Sequence, residues 1–555
     1  MIDRYSAEYA AYRWRVPAEF NIASWTCRRW SSEPERLALR WEDEGGATES
    51  WTFARLQDAA NRLSNALAAL GVSRGDRVAL ILPQRPQTAI SYLAIFQMGA
   101  IAVPLSHLFG PDALEYRLAN SAAKVVIVDG HTITNLSPIR DRLPELGHVI
   151  GVAGARETGT ISWPDLLERA SPHCEAARTL ALDAAAIIYT SGTTGPPKGA
   201  LLPHCALIGN LPGFEYSHDG FPREGDLFWS PADWAWTGGL WDALMPTLYH
   251  GQAILGYRGR FDAEKAFRLL EKHAIRNTFL FPTALKMMMR DVPSPRGRFN
   301  LHLRSMMSGG EAVSPAVFHW ARDELGVTIN EIFGQTEMNY IVGNSHKLWP
   351  VRPGSMGRPY PGHRVAVIDA SGHEVPRGTP GEVAVHREWL DGTRDPVFFI
   401  EYWKDARATA SKFAGDWCRT GDEALMDDDG YLWYQGRTDD MFKSAGYRIG
   451  PAEIENCLVK HAAVANCAVI PSPDELRGSV VKAFVLLAPG HSPSEALEES
   501  LREHVKSQLA PYQQPRRIEF VRELPMTTTG KVQRRILRER EAQRLGSTDG
   551  VKASQ

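Results

Sequence analysis

Residues 184–199 limit what this chain can fold into more than any other stretch. Ala184-Ala185-Ala186-Ile187-Ile188 is a short continuous apolar run of the kind buried inside a sheet. It leads directly into Tyr189-Thr190-Ser191-Gly192-Thr193-Thr194-Gly195-Pro196-Pro197-Lys198-Gly199. Glycines let the backbone turn so that successive N–H groups face one anion. The hydroxyls add donors and Lys198 adds a full positive charge. The segment therefore predicts a buried strand followed by a phosphate-holding loop. It does not fit Gly-x4-Gly-Lys-Ser/Thr, because Gly192 and Gly195 stand too close together. A flexible linker is the bland alternative, and linkers rarely follow a buried apolar strand.

A strand of this type needs layers around it, and the rest of the chain supplies them. Arg77–Leu82 and Lys124–Asp129 read as strands flanking a helix over Thr88–Met98. Phe279-Leu280-Phe281 reads as a short buried strand, and Lys265–His273 and Pro315–Leu325 carry helical apolar spacing. This alternation predicts a layered α/β architecture. After about residue 350 short alternating strands take over: Arg364–Asp369, Gly381–His386 and Gly430–Gln435, a small β subdomain. From about 440 the pattern is α+β, with helices over Pro451–His461 and Ser494–Leu509 and strands near Val464–Ile470, Val480–Leu487 and Arg517–Glu523. The expected organisation is an α/β N-terminal domain over 1–436 (two layered subdomains plus the β subdomain), an α+β C-terminal domain over 437–545, and an unstructured tail over 546–555.

At 555 residues the chain is long enough for several cores. A formal charge of −3 gives no reason to expect nucleic-acid binding. The six cysteines, Cys27, Cys174, Cys205, Cys418, Cys457 and Cys467, form no Cys-x2-Cys and no zinc spacing, and read as reduced thiols. No apolar run reaches the roughly 18 residues of a membrane helix, and the N-terminus lacks a signal-peptide core. These features predict a soluble, cytoplasmic protein without a membrane partner.

Further segments carry chemistry. Ser308-Gly309-Gly310-Glu311 follows an apolar Ser305-Met306-Met307 and lets a flat ring or ribose approach the backbone. Glu331-Ile332-Phe333-Gly334-Gln335-Thr336-Glu337 presents an aromatic, an amide, a hydroxyl and carboxylates together. In Arg419-Thr420-Gly421-Asp422 a carboxylate is available to two ribose hydroxyls. Gly436-Arg437-Thr438-Asp439-Asp440-Met441-Phe442-Lys443 runs on into Ser444-Ala445-Gly446-Tyr447-Arg448-Ile449-Gly450, and Pro525-Met526-Thr527-Thr528-Thr529-Gly530-Lys531 lies near the C-terminus. Taken singly, each is compatible with a turn, a helix start or a surface lysine. Their order and spacing as a set are not.

The set resembles the AMP-forming adenylating superfamily of acyl-CoA synthetases, luciferase and peptide-synthetase adenylation domains. The resemblance runs from about Phe20 to Leu537. It is nearest in wording to the medium-chain acyl-CoA synthetase branch, through Gly446-Tyr447-Arg448-Ile449-Gly450-Pro451, Lys482-Ala483-Phe484-Val485, Ala510-Pro511-Tyr512 and Pro353-Gly354-Ser355-Met356-Gly357. The resemblance implies that ATP, Mg2+ and CoA serve a carboxylic acid. Thr190, Ser191, Gly192, Thr193, Thr194, Gly195 and Lys198 would hold the β- and γ-phosphates. Glu337 would hold Mg2+, with Thr336 at the α-phosphate. Gly309, Gly310, Glu311, Glu331, Ile332 and Phe333 would frame the base, with Gly334 and Gln335 also among the ATP-binding residues, and Asp422 and Arg437 would hold the ribose. Lys531 would bridge the acid and the α-phosphate. Gly446, Tyr447 and Arg448 would serve CoA, and Asp439 would be the hinge about which the smaller domain turns between half-reactions. It also implies that Lys531 is a target for a lysine acetyltransferase.

The acid itself is read from two places. Acetate-specific relatives carry Trp where this chain has Gly334, which predicts a larger pocket. Trp234, Trp236, Gly238 and Trp241 are expected along the channel wall, with core packing the alternative for the tryptophans. Together these features predict an acid–CoA ligase for a monocarboxylic acid larger than acetate: short-branched, medium-chain or aryl. A stand-alone adenylating enzyme that loads a carrier protein, and a catalytically dead nucleotide-binding regulator, are the competing readings.

Overall fold

The computed structural model describes residues 3–190, 196–438, 440–444, 447–474, 478–509, 511–527 and 532–552. The chain divides into two compact units: residues 1–365 with 385–418, and residues 366–384 with 419–555.

The first unit is built on two mainly parallel sheets. One has eight strands in the order Glu401–Tyr402, Lys198–Pro203, Ala184–Thr190, Ile101–Pro104, Arg77–Ile81, Val125–Asp129, His148–Val152 and Thr160–Ser162. From the Ala184 strand to the Thr160 strand every pairing is parallel. Parallel strands covered on both faces need continuous apolar runs, and Val125-Val126-Ile127-Val128-Asp129 is buried at every position. The helix Pro86–Gln97 is buried on almost all sides, in keeping with its apolar composition. The expected start at Thr88 moves to Pro86, since proline suits the first helical turn.

The other sheet has nine strands: Arg358–Pro359, Met338–Gly343, Ile329–Gln335, Ser305–Gly309, Asn277–Phe279, Leu227–Trp229, Ala253–Arg258, Leu37–Asp43 and Thr48–Thr52. Its centre is parallel and its two ends are antiparallel. The helix Ala263–Lys272 covers it and is capped by Asp262, whose carboxylate accepts from Lys265 N at 2.9 Å. The strand expected over 279–281 lies at Asn277–Phe279 instead, because Pro282 opens a helix and Phe281 becomes its N-cap.

In the second unit, Val464–Asp474 and Gly478–Leu487 pair antiparallel and Arg517–Val521 joins in parallel. Alternation along the first strand sorts the core. Cys467 and Val469 meet the helices Pro451–Leu458 and Glu495–Gln508 through Ile454, Leu458, Leu501 and Val505. Ala468 and Ile470 pack instead with Leu537 of the last helix, Arg534–Lys552, which extends into the segment expected as a tail. Leu432–Arg437 belongs to this unit too, although the sequence breaks at Gly436: an added Cβ at Gly436 would meet Pro451 Cδ at 3.8 Å, and one at Gly450 would meet Gln435 O at 2.3 Å. Among the described residues no helix is long and apolar enough to cross a membrane.

Candidate active site

In the first unit the predicted residues gather beyond the carboxyl ends of parallel strands, the usual crevice of an open α/β sheet. The Ala184–Thr190 and Lys198–Pro203 strands pair with Thr190 opposite Lys198. Ser191 to Gly195 lie outside the described residues. Lys198 Nζ sits 5.3 Å from the centroid of the Tyr402 ring, within cation–π range. The Tyr402 hydroxyl in turn donates to Glu337 Oε1. Glu337 is buried, and its backbone carbonyl accepts from Phe399 N at 2.9 Å. A lysine and a carboxylate separated by 139 positions are thus brought to one tyrosine, which stands on the edge strand opposite Ala200.

Tyr402 carries no motif, and only its position beside the Lys198 strand could have found it. Lys412 is likewise new: its Nζ donates to Gln335 Oε1 at 2.9 Å. Thr336 Oγ1 lies 2.9 Å from Thr237 Oγ1, which ties the Gln335-Thr336-Glu337 turn to the Trp-rich segment.

The residues expected to frame the base stand on neighbouring strands, with Ser308 opposite Glu331 and Gly309 opposite Ile332. A Cβ on Gly309 would meet Ile332 O at 2.9 Å, so the close approach of backbone requires glycine there. Gly310 has φ of +87° and borders the Phe281 ring. Glu311 accepts from Thr283 Oγ1 at 3.0 Å, fixing the turn beside Gly310. Glu331 Oε1 accepts from Val313 N at 3.3 Å, and burial pushes its carboxyl up to about 8.

The expected acyl-pocket residues separate. Trp234 is fully buried and abuts Gly256, and Trp241 is buried as well, so both pack the core rather than line an open channel. Trp236 is half-buried and meets the Phe109 ring edge-on at 5.7 Å. An added Cβ at Gly238 would strike Phe279 Cε1 at 2.9 Å and stand 3.3 Å from Phe281 Cζ, so Gly238 lies against the ring pair that borders Gly310. A Cβ at Gly334 would fall 2.6 Å from Tyr340 N, at a register shift between its strand and the next. The glycine there is demanded by backbone packing, and no bulky residue fits without parting the two strands.

The second unit holds a separate set. Asp422 lies opposite Arg437, with Oδ2 3.4 Å from Nη1, and Tyr434 OH donates to Asp422 Oδ1 at 3.4 Å. Glu382 holds the turn before Asp422, accepting from Gly421 N and from Arg419 Nε, each at 2.7 Å. The backbone of Tyr447–Ile449 pairs with Phe442–Ser444, placing Arg448 opposite Lys443. Asp439, Gly446 and Lys531 lie outside the described residues. In the first unit, a lysine and a buried carboxylate brought to one tyrosine suit a phosphate-bearing ligand.

Residues 27–390 match the AMP-binding enzyme family, and residues 453–531 match the AMP-binding enzyme C-terminal domain. The mitochondrial acyl-coenzyme A synthetase ACSM5 of Homo sapiens is 36% identical over 538 residues, 95% of this chain and 91% of its own length. An acetyl-coenzyme A synthetase of Bacillus subtilis (strain 168) is 34% identical over 514 residues, 92% of this chain and 88% of its own. Among solved structures, an anthranilate CoA ligase in complex with anthranoyl-AMP superposes with a TM-score of 0.85 at 31% identity, covering 96% of this chain and 99% of that one.

Proposed function

This chain belongs to the AMP-binding enzyme family and is an AMP-forming acyl-CoA ligase; from that premise we propose that its acid is a monocarboxylate larger than acetate, short-branched, medium-chain or aryl. What supports the proposal is Gly334, at the position where acetate-specific relatives carry Trp. A side chain there would collide with Tyr340 N at 2.6 Å, so the indole that closes acetate pockets has no place on this backbone. The Gly238–Phe281–Gly310 wall adds apolar surface beside the nucleotide residues. The anthranoyl-AMP complex shows that one structural relative accepts an aryl acid.

A carboxylate is a poor electrophile because its leaving group would be oxide. Its oxygen attacks the α-phosphorus of ATP, the bond to the β-phosphate oxygen breaks, and pyrophosphate leaves with the electron pair. CoA thiolate then attacks the acyl carbonyl of the adenylate and AMP leaves. Both steps bring anions together, so fixed positive charge and donors dominate the catalysis. Lys198 serves the phosphates, Thr336 the α-phosphate, Asp422 and Arg437 the ribose, and Lys531 aligns the acid, an effect worth roughly 7–11 kcal/mol in favourable cases. Gly446, Tyr447 and Arg448 serve the thioester step.

Mg2+ is commonly held by one or two carboxylates together with substrate phosphates, and a single buried Glu337 facing Lys198 across Tyr402 fits that donor set. When bound, the ion would neutralise phosphate charge. Steady-state acyl-CoA formation over acetate, isobutyrate, octanoate and benzoate tests the proposal. The expected result is a kcat/KM for acetate well below that for at least one larger acid. Acetate as the best substrate would overturn it.

A further inference from the structure

The second unit contains a half-buried charge cluster that neither the nucleotide nor the acid accounts for. Arg534 stands at the start of the last helix. Its Nε donates to Glu455 Oε1 at 3.1 Å and its Nη2 to Glu455 Oε2 at 2.5 Å, a two-pronged pair. Its Nη1 also donates to Asp440 Oδ2 at 3.1 Å, while Arg538, one helical turn on, donates to Asp440 Oδ1 at 2.6 Å. The Asp440 and Glu455 carboxylates are only 13% and 14% exposed. Glu455 is further fixed by Val469 N, which donates to it at 2.7 Å. Burial opposes the charge on Arg534, but Glu455 and Asp440 more than offset it and hold the guanidinium above its ordinary range.

The positions of these residues in the chain give the cluster its meaning. Asp440 is the first residue after Asp439. Arg534 is three residues after Lys531. The residues on either side of 527–531 are pinned together: Met526 bridges Val532, Gln533 N donates to Pro525 O at 2.8 Å, and Gln533 Nε2 donates to Met526 O at 2.6 Å. Arg534 sits directly behind that pinch. One arginine therefore joins the base of the Lys531 segment, the helix Pro451–Leu458 and the residue that follows Asp439.

We propose that Arg534 is a positioning residue for adenylation, a clamp that fixes the base of the Lys531 segment to a rigid body whose first member is Asp440. This rests on the reading of Lys531 as the acid-aligning lysine. The clamp also holds the carboxylate of Asp440 with two arginines. Lysine cannot replace the clamp, since a single ammonium lacks the fork that spans two carboxylates.

The test measures the half-reactions separately in Arg534→Met, Arg534→Lys, Asp440→Asn and Lys531→Ala: acid-dependent ATP–pyrophosphate exchange, and thioester formation from supplied acyl adenylate. Arg534→Met is expected to lower the exchange kcat by about ten- to a hundredfold, the effect of a misplaced aligning group, with KM for ATP little changed and thioester formation near wild type. Arg534→Lys is expected to rescue only part of the loss. Asp440→Asn keeps the Glu455 pair and the side-chain shape, and is expected to give a smaller loss confined to exchange. If Arg534→Met does not fold, Asp440→Asn decides. Unchanged exchange in the folded variants, or equal loss of both half-reactions, overturns the clamp. Loss of exchange in Lys531→Ala beside normal exchange in Arg534→Met rejects the clamp alone, whereas normal exchange in Lys531→Ala rejects the underlying reading of Lys531.

Discussion

Glu337 is held from behind by a phenol. The Tyr402 hydroxyl donates to one carboxylate oxygen while its ring faces Lys198, so one side chain spaces two opposite charges, both proposed above to serve the phosphates. Tyr402→Phe keeps the ring and removes the donor. A hydrogen bond to a charged acceptor contributes about 1.5–3 kcal/mol, so pyrophosphate release should fall roughly tenfold or more, with a higher Mg2+ concentration needed for half-maximal rate. A Mg2+ titration checks it; an unchanged rate and an unchanged Mg2+ requirement would remove Tyr402 from the site. The sequence shows Glu337 and Lys198 because each stands in a recognisable segment. It does not show Tyr402, which reaches them only through strand pairing between residues about two hundred positions apart.

Elements whose apolar pattern stands on its own are legible in the sequence. Gly381–His386 is a strand at the expected bounds, and Val125–Asp129 and Glu495–Gln508 lie within a residue of theirs. Those set by the next element are not. Pro282 displaces the strand before it, and the strand expected at Gly430–Gln435 lies at Leu432–Arg437, after the turn in which Asp427 Oδ1 accepts from Tyr431 N at 2.8 Å. The tryptophans of 234–241 read as a channel wall because large aromatics suit an acyl chain. In the fold, Trp234 and Trp241 fill the interior, and only burial separates the two readings.

The same segment continues into a π-helical turn, Leu240–Leu244, with a buried carboxyl at its centre. Burial pushes Asp242 from 3.8 up to about 8, although Asn339 Nδ2 donates to it. Because folding favours its neutral form, its contribution to stability is complete below about pH 4 and is lost as pH rises toward about 8. Asp242→Asn should remove that loss, so its Tm should gain on the wild type by a few degrees across the window. Calorimetry at several pH values checks this. Parallel Tm profiles for the two proteins would contradict it.

On the scale of the whole molecule, each of the two units carries residues proposed above to serve the reaction. Lys198, Thr336 and Glu337 stand in the first, and Asp422 and Arg437 in the second. One chain that activates an acid and then transfers it to a thiol needs different groups at the acyl carbon in each step, and Asp439 is assigned as the point where the chain turns between them. Asp439→Pro fixes φ near −65° there and should separate the steps, leaving activation intact while acyl-CoA formation is lost. Activation is the step that defines the enzyme, and ATP–pyrophosphate exchange reports it without CoA. With labelled pyrophosphate, ATP and an acid larger than acetate, the wild type and Asp439→Pro should both return label to ATP. Exchange by neither protein with any acid, or equally fast exchange with no acid present, would contradict the account.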